Sequence, residues 1–169
     1  FWFELPLKTA NEAEIKIEKN KPTGSADSAA EFDFPTLQGR VLLAEDNPAN
    51  QLIERTVLER LGLFVGVAAN GHEVIAALQS APYDLVLMDI NMPEMGGIEA
   101  TAIIRKMPGT LSNVPIIAMT ALAMPGDRER FLSEGMDGYI SKPNRQEEWH
   151  ACIAKVLVGL KPLPLAKRN

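Results

Sequence analysis

The segment Asp84-Leu85-Val86-Leu87-Met88-Asp89 places four consecutive apolar residues between two acids. A strand that is apolar on both faces is typical of a parallel sheet covered by helices on both sides. Two similar runs, Val41-Leu42-Leu43-Ala44 and Val114-Pro115-Ile116-Ile117-Ala118-Met119, predict two further strands. Weaker runs at Leu63–Ala68 and Gly138–Ile140 raise the number of predicted strands to five.

Amphipathic segments between these runs predict helices. Ile53, Val57 and Leu61 recur every four residues behind Asp46-Asn47-Pro48, where an acid or amide caps a helix and proline fits its first turn. Other helices are predicted after Asn70-Gly71, from Met95-Gly96-Gly97 to Met107, around Asp127-Arg128-Glu129-Arg130, and along the apolar stripe of Trp149, Cys152, Ile153, Val156 and Leu157, with Gly159 as the end. The pattern predicts an α/β protein: a five-stranded parallel doubly wound sheet flanked by five helices.

Composition excludes several classes of protein. The 169 residues carry 17 Lys and Arg against 22 Asp and Glu, a net charge of −5, so neither nucleic acid nor a membrane surface is expected as a partner. The single cysteine, Cys152, forms no internal disulfide and no cysteine-rich metal site. No apolar run reaches the roughly 18 residues that span a bilayer.

Four segments are predicted along the chain. Residues 1–10 begin with Phe1-Trp2-Phe3-Glu4-Leu5-Pro6-Leu7, which is typical of a strand stopped by proline. Residues 11–38 are mainly polar, charged or small and predict a flexible linker. Residues 39–159 form the folded domain, and 160–169 form a tail. Without an initial methionine or signal peptide, the chain is expected to be a fragment of a longer protein.

Polar side chains directly follow the predicted strands. Glu45 and Asp46 follow the first strand, Asp89 the third, Thr120 the fourth, and Lys142 lies just after the fifth. Ligands of doubly wound sheets bind at the carboxyl ends of the strands, so these side chains are expected to converge. Taken singly, such an acid or threonine is usually a cap, and such a lysine is usually solvated. Together they indicate a site.

Three carboxylates at one edge require positive charge. Two unit charges 4 Å apart repel by roughly 4 kcal/mol at an effective dielectric constant of 20. Lys142 supplies one positive charge, and Mg²⁺ is suited to the remainder because it prefers oxygen ligands together with waters and a phosphate. The cluster therefore predicts a Mg²⁺-dependent phosphoryl site, in which Mn²⁺ could substitute.

Four motifs resemble those of the response-regulator receiver domain, in the form carried by hybrid sensor histidine kinases. They are Leu43-Ala44-Glu45-Asp46-Asn47, Leu87-Met88-Asp89-Ile90-Asn91-Met92-Pro93, Ala118-Met119-Thr120-Ala121 and Tyr139-Ile140-Ser141-Lys142-Pro143. The resemblance covers about Arg40 to Gly159 and implies a flavodoxin-like fold with strand order 2-1-3-4-5. Residues 1–10 resemble the last strand of a histidine-kinase ATPase domain, and are interpreted as its remnant.

The resemblance implies a metal site and a phosphorylation site. Asp89 is the implied phosphoacceptor, a nucleophilic carboxylate that attacks the phosphoryl group of a phosphohistidine. Asp46, Asp89 and the backbone carbonyl of Asn91 are the implied Mg²⁺ ligands, and Glu45 acts mainly through a metal-bound water.

The resemblance also implies how phosphorylation is sensed. Lys142 pairs with the phosphoryl oxygens, Thr120 donates a hydrogen bond to one of them, and Tyr139 is the switch aromatic that moves inward with Thr120. A cis peptide before Pro143 is implied as well. Leu122 is expected to flank the phosphoryl group and partly exclude attacking water.

Partners and alternatives follow from the same resemblance. The implied donor is a phosphohistidine of a kinase dimerisation domain, a histidine phosphotransfer domain, or both. The fragment is expected to be a cytoplasmic phosphoacceptor without independent turnover, whose α4-β5-α5 surface switches, and membrane anchoring of the parent kinase is left open. One alternative is a haloacid-dehalogenase-type phosphatase, although Asn91 replaces its second acid. Another is a docking receiver that is never phosphorylated.

Overall fold

The computed structural model describes residues 35–121, 126–143 and 145–160, and its side chains up to residue 157. In these ranges the strands are β1 Arg40–Ala44, β2 Phe64–Ala68, β3 Leu85–Asp89, β4 Ile116–Thr120 and β5 Gly138–Ser141. All neighbouring strands pair in parallel, in the order β2-β1-β3-β4-β5. The predicted doubly wound sheet and its strand order are confirmed.

Within the described ranges, four α-helices connect successive strands and a fifth follows β5. They are α1 Pro48–Arg60, α2 Gly71–Ser80, α3 Gly97–Ile104, α4 Asp127–Ser133 and α5 Gln146–Leu160, with a short 3-10 helix at Gly109–Asn113. Asn47 caps α1, since its side-chain oxygen accepts a hydrogen bond from the backbone N–H of Ala49 at 2.9 Å. In the part of the chain described, no helix combines the length and apolarity that crossing a membrane requires.

Apolar side chains cover both faces of the sheet. One face carries Leu42, Ala44, Val86, Met88, Ile116 and Ala118, which pack with Val74, Leu78, Ala100, Ile104 and Phe131 of the neighbouring helices. The other face carries Val41, Leu43, Leu85, Leu87, Ile117 and Met119, which pack with Leu58, Trp149, Ile153 and Leu157. Because both faces of the sheet are buried, the strand sequences are continuous apolar runs and do not alternate between apolar and polar residues.

Several predicted boundaries and contacts need correction. Helix α3 ends at Ile104, not at Met107, because Pro108 disfavours helical backbone at the residue before it. Helix α5 continues through Gly159 to Leu160, since a glycine costs a helix only about 1 kcal/mol. In α1 the predicted stripe was wrong at Ile53, which is 63% exposed, whereas Leu58 is fully buried.

The end of the predicted linker packs against the domain. Leu37 is only 8% exposed, and its backbone N–H donates to the carbonyl oxygen of Leu61 at 2.8 Å. The described chain is therefore anchored before β1 begins. The strand predicted within residues 1–10, most of the linker, Leu122 and the tail from residue 161 lie outside the described residues.

Gly97 lets the start of α3 approach the end of β3. Its N–H donates to the carbonyl oxygen of Ile90 at 3.1 Å. A Cβ atom at this position would lie 2.3 Å from the carbonyl oxygen of Asp89 and 2.8 Å from Cγ of Met88. Glycine is required here for space, and the contact fixes the backbone directly behind Asp89.

We predict that Gly97→Ala destabilises the domain by about 1–3 kcal/mol, because the added methyl group overlaps backbone atoms that are held by the sheet. Gly138→Ala is the matched control, since its Cβ would meet only Cγ1 of Ile117, at 3.9 Å. Urea unfolding of both variants and the wild type measures the difference. Equal stability of the two variants would contradict this explanation.

Candidate functional site

The ends of the parallel strands bring the candidate residues to one edge of the sheet. Asp89 is the last residue of β3 and Thr120 is the last residue of β4. Strand pairing aligns Ala44 with Met88, Asp89 with Met119, and Thr120 with Ser141. Residues that follow these positions, including Glu45 and Lys142, therefore emerge at the same edge.

Lys142 lies among three carboxylates. Its Nζ atom donates to Oδ2 of Asp89 at 2.8 Å and also to Oε2 of Glu45. Oε1 of Glu54 lies 3.4 Å from the same nitrogen. Burial lowers the pKa of Lys142, but its hydrogen bonds to Asp89 and Glu45 raise it more, so the pKa lies above the ordinary value. The ammonium group therefore stays charged.

Glu45 is held by the first turn of α1. Its side chain is 1% exposed, and Oε1 accepts hydrogen bonds from the backbone N–H of Asn47 at 3.2 Å and from the amide of Asn50 at 2.9 Å. Burial raises the pKa of Glu45, but the hydrogen bonds from Lys142 and Asn50 outweigh it, and the net pKa is lowered. Glu45 is thus maintained as a carboxylate.

Asp89 is partly desolvated, with 13% of its side chain exposed. Oδ1 accepts a hydrogen bond from the backbone N–H of Asn91 at 2.9 Å, while Oδ2 accepts from Lys142. Burial raises the pKa of Asp89, and the hydrogen bonds from Lys142 and Asn91 only partly offset it, so the pKa remains above its ordinary value. Such a carboxylate is more basic than one in free solution.

The acidic side chains fit a divalent cation. Glu45, Asp46 and Asp89 each offer a carboxylate oxygen, and these three atoms lie within 4.8 Å of one another. Asp46 is exposed, so an ion has access from solvent. Hard oxygen donors with open access are the ligand type and setting that suit Mg²⁺.

The remaining predicted residues lie at this edge, apart from Tyr139, which lies within β5 opposite Ala118. Thr120 is 4% exposed, and its carbonyl oxygen accepts a hydrogen bond from the backbone N–H of Lys142 at 2.7 Å. The peptide bond between Lys142 and Pro143 is cis. Tyr139 is 37% exposed, with its ring centroid 6.4 Å from that of Phe131 on α4. Asn91 is exposed beside Asp89.

Sequence reasoning missed the contribution of α1. Besides Asn50, Gln51 donates from Nε2 to the carbonyl oxygen of Glu45 at 2.6 Å, and Glu54 reaches Lys142. A signal was present in the sequence: Asn50, Gln51 and Glu54 lie within one turn of each other on a helix that begins directly after the acid pair. The buried Leu58 continues the same face.

Comparison with known proteins agrees with this geometry. The family model described as response regulator receiver domain matches residues 41–154. Sensor histidine kinase GacS of Pseudomonas protegens is 40% identical over 132 residues, which cover 77% of this chain and 14% of GacS. Signal transduction histidine-protein kinase BarA of Escherichia coli is 37% identical over 127 residues, which cover 75% of this chain and 14% of BarA. The chain thus spans a small part of these relatives.

A solved structure adds information on the metal. The receiver domain of sensor histidine kinase PA1611 from Pseudomonas aeruginosa is 36% identical, with a TM-score of 0.66. The similarity covers 72% of this chain and 98% of that one. Its structure contains a magnesium ion coordinated in the active-site cleft.

The fold and the acidic edge define the class: an α/β domain with a cluster of carboxylates, suited to a divalent cation, at the carboxyl ends of its parallel strands. The chain belongs to the response regulator receiver domain family, and it is a receiver domain of two-component signalling. Its curated matches are receiver regions of hybrid sensor histidine kinases, which confirms the predicted resemblance.

Glu54 makes the stability of the domain depend on pH. Burial raises the pKa of Glu54 to about 7, and Lys142 offsets only part of this effect, while Glu45 and Asp89 add to it. The folded state therefore holds the proton more tightly than the unfolded state, whose glutamate titrates near 4.5. This contribution is favourable at low pH and is lost as the pH rises from about 4.5 to about 7.

We predict that Glu54→Gln is more stable than the wild type by about 1–3 kcal/mol at pH 8 in a chelator, and that the difference disappears near pH 4.5. Urea unfolding at both pH values measures it. Glu59→Gln, which changes an exposed glutamate of α1 paired with Arg55, serves as the control for net charge. A difference that does not vary with pH would contradict the assignment to Glu54.

Proposed function

We propose that this domain accepts a phosphoryl group on Asp89 from a phosphohistidine, with Mg²⁺ as cofactor, and that phosphorylation switches the surface formed by α4, β5 and α5. The observation that carries the proposal is the position of Asp89, which shares Lys142 with Glu45 and lies in one carboxylate cluster with Asp46. In this proposal Asp89 is the nucleophile, Lys142 is the cation, and Glu45 and Asp46 are the further acids that bind the metal.

The residues present fit the metal chemistry of the proposed reaction. Asp46, Asp89 and the backbone carbonyl of Asn91 would hold Mg²⁺, with Glu45 contributing through a water molecule, and Mn²⁺ would substitute. The bound ion would supply positive charge that offsets the carboxylates and the incoming phosphoryl group.

The transfer is a displacement at phosphorus. A carboxylate oxygen of Asp89 forms a bond to phosphorus while the bond from phosphorus to the histidine nitrogen breaks, and that nitrogen keeps the electron pair. Lys142 holds a phosphoryl oxygen by its charge, and the hydroxyl of Thr120 donates a hydrogen bond to another. Catalysis then consists of positioning and charge neutralisation, as in other phosphoryl transfers.

The switch is supported by the connection between β4 and β5. Thr120 and Lys142 are joined by a backbone hydrogen bond, and Tyr139 lies on β5, the strand that Lys142 directly follows. Movement of Thr120 toward a phosphoryl group would shift the equilibrium of Tyr139 between an outward and an inward position. The exposed ring of Tyr139 is the outward position in this proposal.

The donor and cellular context complete the proposal. The phosphohistidine would belong to a kinase dimerisation domain, a histidine phosphotransfer domain or both, and the domain would act in the cytoplasm as part of a hybrid sensor histidine kinase. The similarity to GacS and BarA supports this assignment. A phosphatase of the haloacid-dehalogenase type is disfavoured because Asn91 lacks the acid that protonates a leaving group.

We predict that acetyl phosphate with Mg²⁺ adds the mass of one phosphoryl group to the wild-type protein and adds none to Asp89→Asn. Intact-mass spectrometry measures the product, and Glu99→Gln, an exposed acid of α3, is the control that keeps the wild-type mass gain. Equal labelling of the Asp89→Asn variant would place the acceptor elsewhere. An unlabelled wild type would support a docking receiver, and steady turnover of a phosphomonoester would support a phosphatase.

A further inference from the structure

Glu54 is an acid in a position that the packing of α1 would assign to an apolar residue. It lies four residues before the fully buried Leu58, and only 12% of its own side chain is exposed. Leu52 and Ile53, which precede it, are 68% and 63% exposed. The helix therefore turns a carboxylate toward the sheet and leaves two aliphatic side chains in solvent.

The two oxygens of Glu54 have different surroundings. Oε1 lies 3.4 Å from Nζ of Lys142. Oε2 is buried and accepts no hydrogen bond from any residue in the described ranges. A buried carboxylate oxygen without a hydrogen-bond partner destabilises the folded state, so Glu54 is not a residue that stabilises the fold. Its one described ionic contact is with the lysine of the site.

The contact matters because Lys142 has one positive charge and three anionic neighbours. Glu45 and Asp89 are the other two, and both belong to the acidic cluster. A phosphoryl group on Asp89 would add negative charge next to the same ammonium group. Glu54 then competes for Lys142 and also repels the phosphoryl group directly.

We propose that Glu54 is a positioning residue whose negative charge competes for Lys142 and weakens the affinity of the site for the phosphoryl group. The inference rests on the proposed function, because it assigns Lys142 to the phosphoryl oxygens. The same negative charge favours a divalent cation in the cluster. Glu54 therefore has opposite effects on the two ligands of the site.

Glu54→Gln tests this inference because it removes the charge and keeps the shape. At saturating Mg²⁺ and pH 8, where Glu54 is ionised, we expect beryllium fluoride, a phosphoryl mimic, to bind at least about fivefold more tightly to the variant than to the wild type, because one charge about 4 Å away has that effect even at the dielectric constant of water. Binding of Mg²⁺ alone, measured by isothermal titration calorimetry, should weaken by a similar factor. A general loss of structure would weaken both.

Two further variants separate charge from packing. Glu54→Asp keeps the charge and should change both affinities much less than Glu54→Gln does. Glu59→Gln removes an equal charge from the exposed face of α1, where Glu59 pairs with Arg55, and should leave both affinities unchanged. Circular dichroism and urea unfolding establish that each variant is folded under the conditions of the titrations.

The outcomes distinguish this inference from the proposed function. If the wild type binds beryllium fluoride in Mg²⁺ and Glu54→Gln binds it equally or more weakly, the role of Glu54 is wrong while the phosphoacceptor site stands. If neither protein binds beryllium fluoride, the proposed function itself fails. Tighter beryllium fluoride binding together with weaker Mg²⁺ binding supports both.

Discussion

One partly buried ammonium group organises the acidic edge of this domain. Lys142 reaches Glu45, Asp89 and Glu54 from the end of β5, and each of the four side chains is at most 15% exposed. Removing one partner from a buried ion pair costs about 3–5 kcal/mol, because an uncompensated charge is left behind. The carboxylates outnumber the cation, so the site retains a demand for positive charge. That imbalance favours a divalent cation at this edge.

The sheet supplies the precision that this charge arrangement needs. The strands β1, β3 and β4 are each five residues long, and the last residues of β1 and β3 pair with the next-to-last residues of β3 and β4, respectively. Apolar packing on both faces holds these strands, while the polar side chains begin where the strands end. Gly97, at the start of α3, packs closely against the backbone of Asp89 and so fixes the last residue of β3. The apolar residues within the strands therefore stabilise the fold, and the polar residues at or just after the strand ends form the candidate site.

Much of this could be predicted from sequence, because the strands follow a simple rule. Continuous apolar runs ending in Asp89 or Thr120 identify both a buried strand and the side chain at its end. Helix α1 did not follow such a rule, since Ile53 completes an apolar spacing and yet is exposed. The inward face of α1 instead makes polar contacts, from Asn50 and Gln51 to Glu45 and from Glu54 to Lys142. A pattern of hydropathy contains no information on such contacts. Hydropathy therefore gives no sign of the inward position of Glu54, and only its helical spacing from Asn50 and Gln51 indicates it.

The inward glutamate of α1 has a consequence for protein engineering. Libraries selected for heat resistance would favour an aliphatic side chain at position 54, because such a residue fills the same space without an unsatisfied oxygen. Under the proposed role of Glu54, thermostabilised versions of this domain would then bind the phosphoryl group more tightly and the metal ion more weakly. At position 54, thermal stability and the affinities for the two ligands therefore favour different residues.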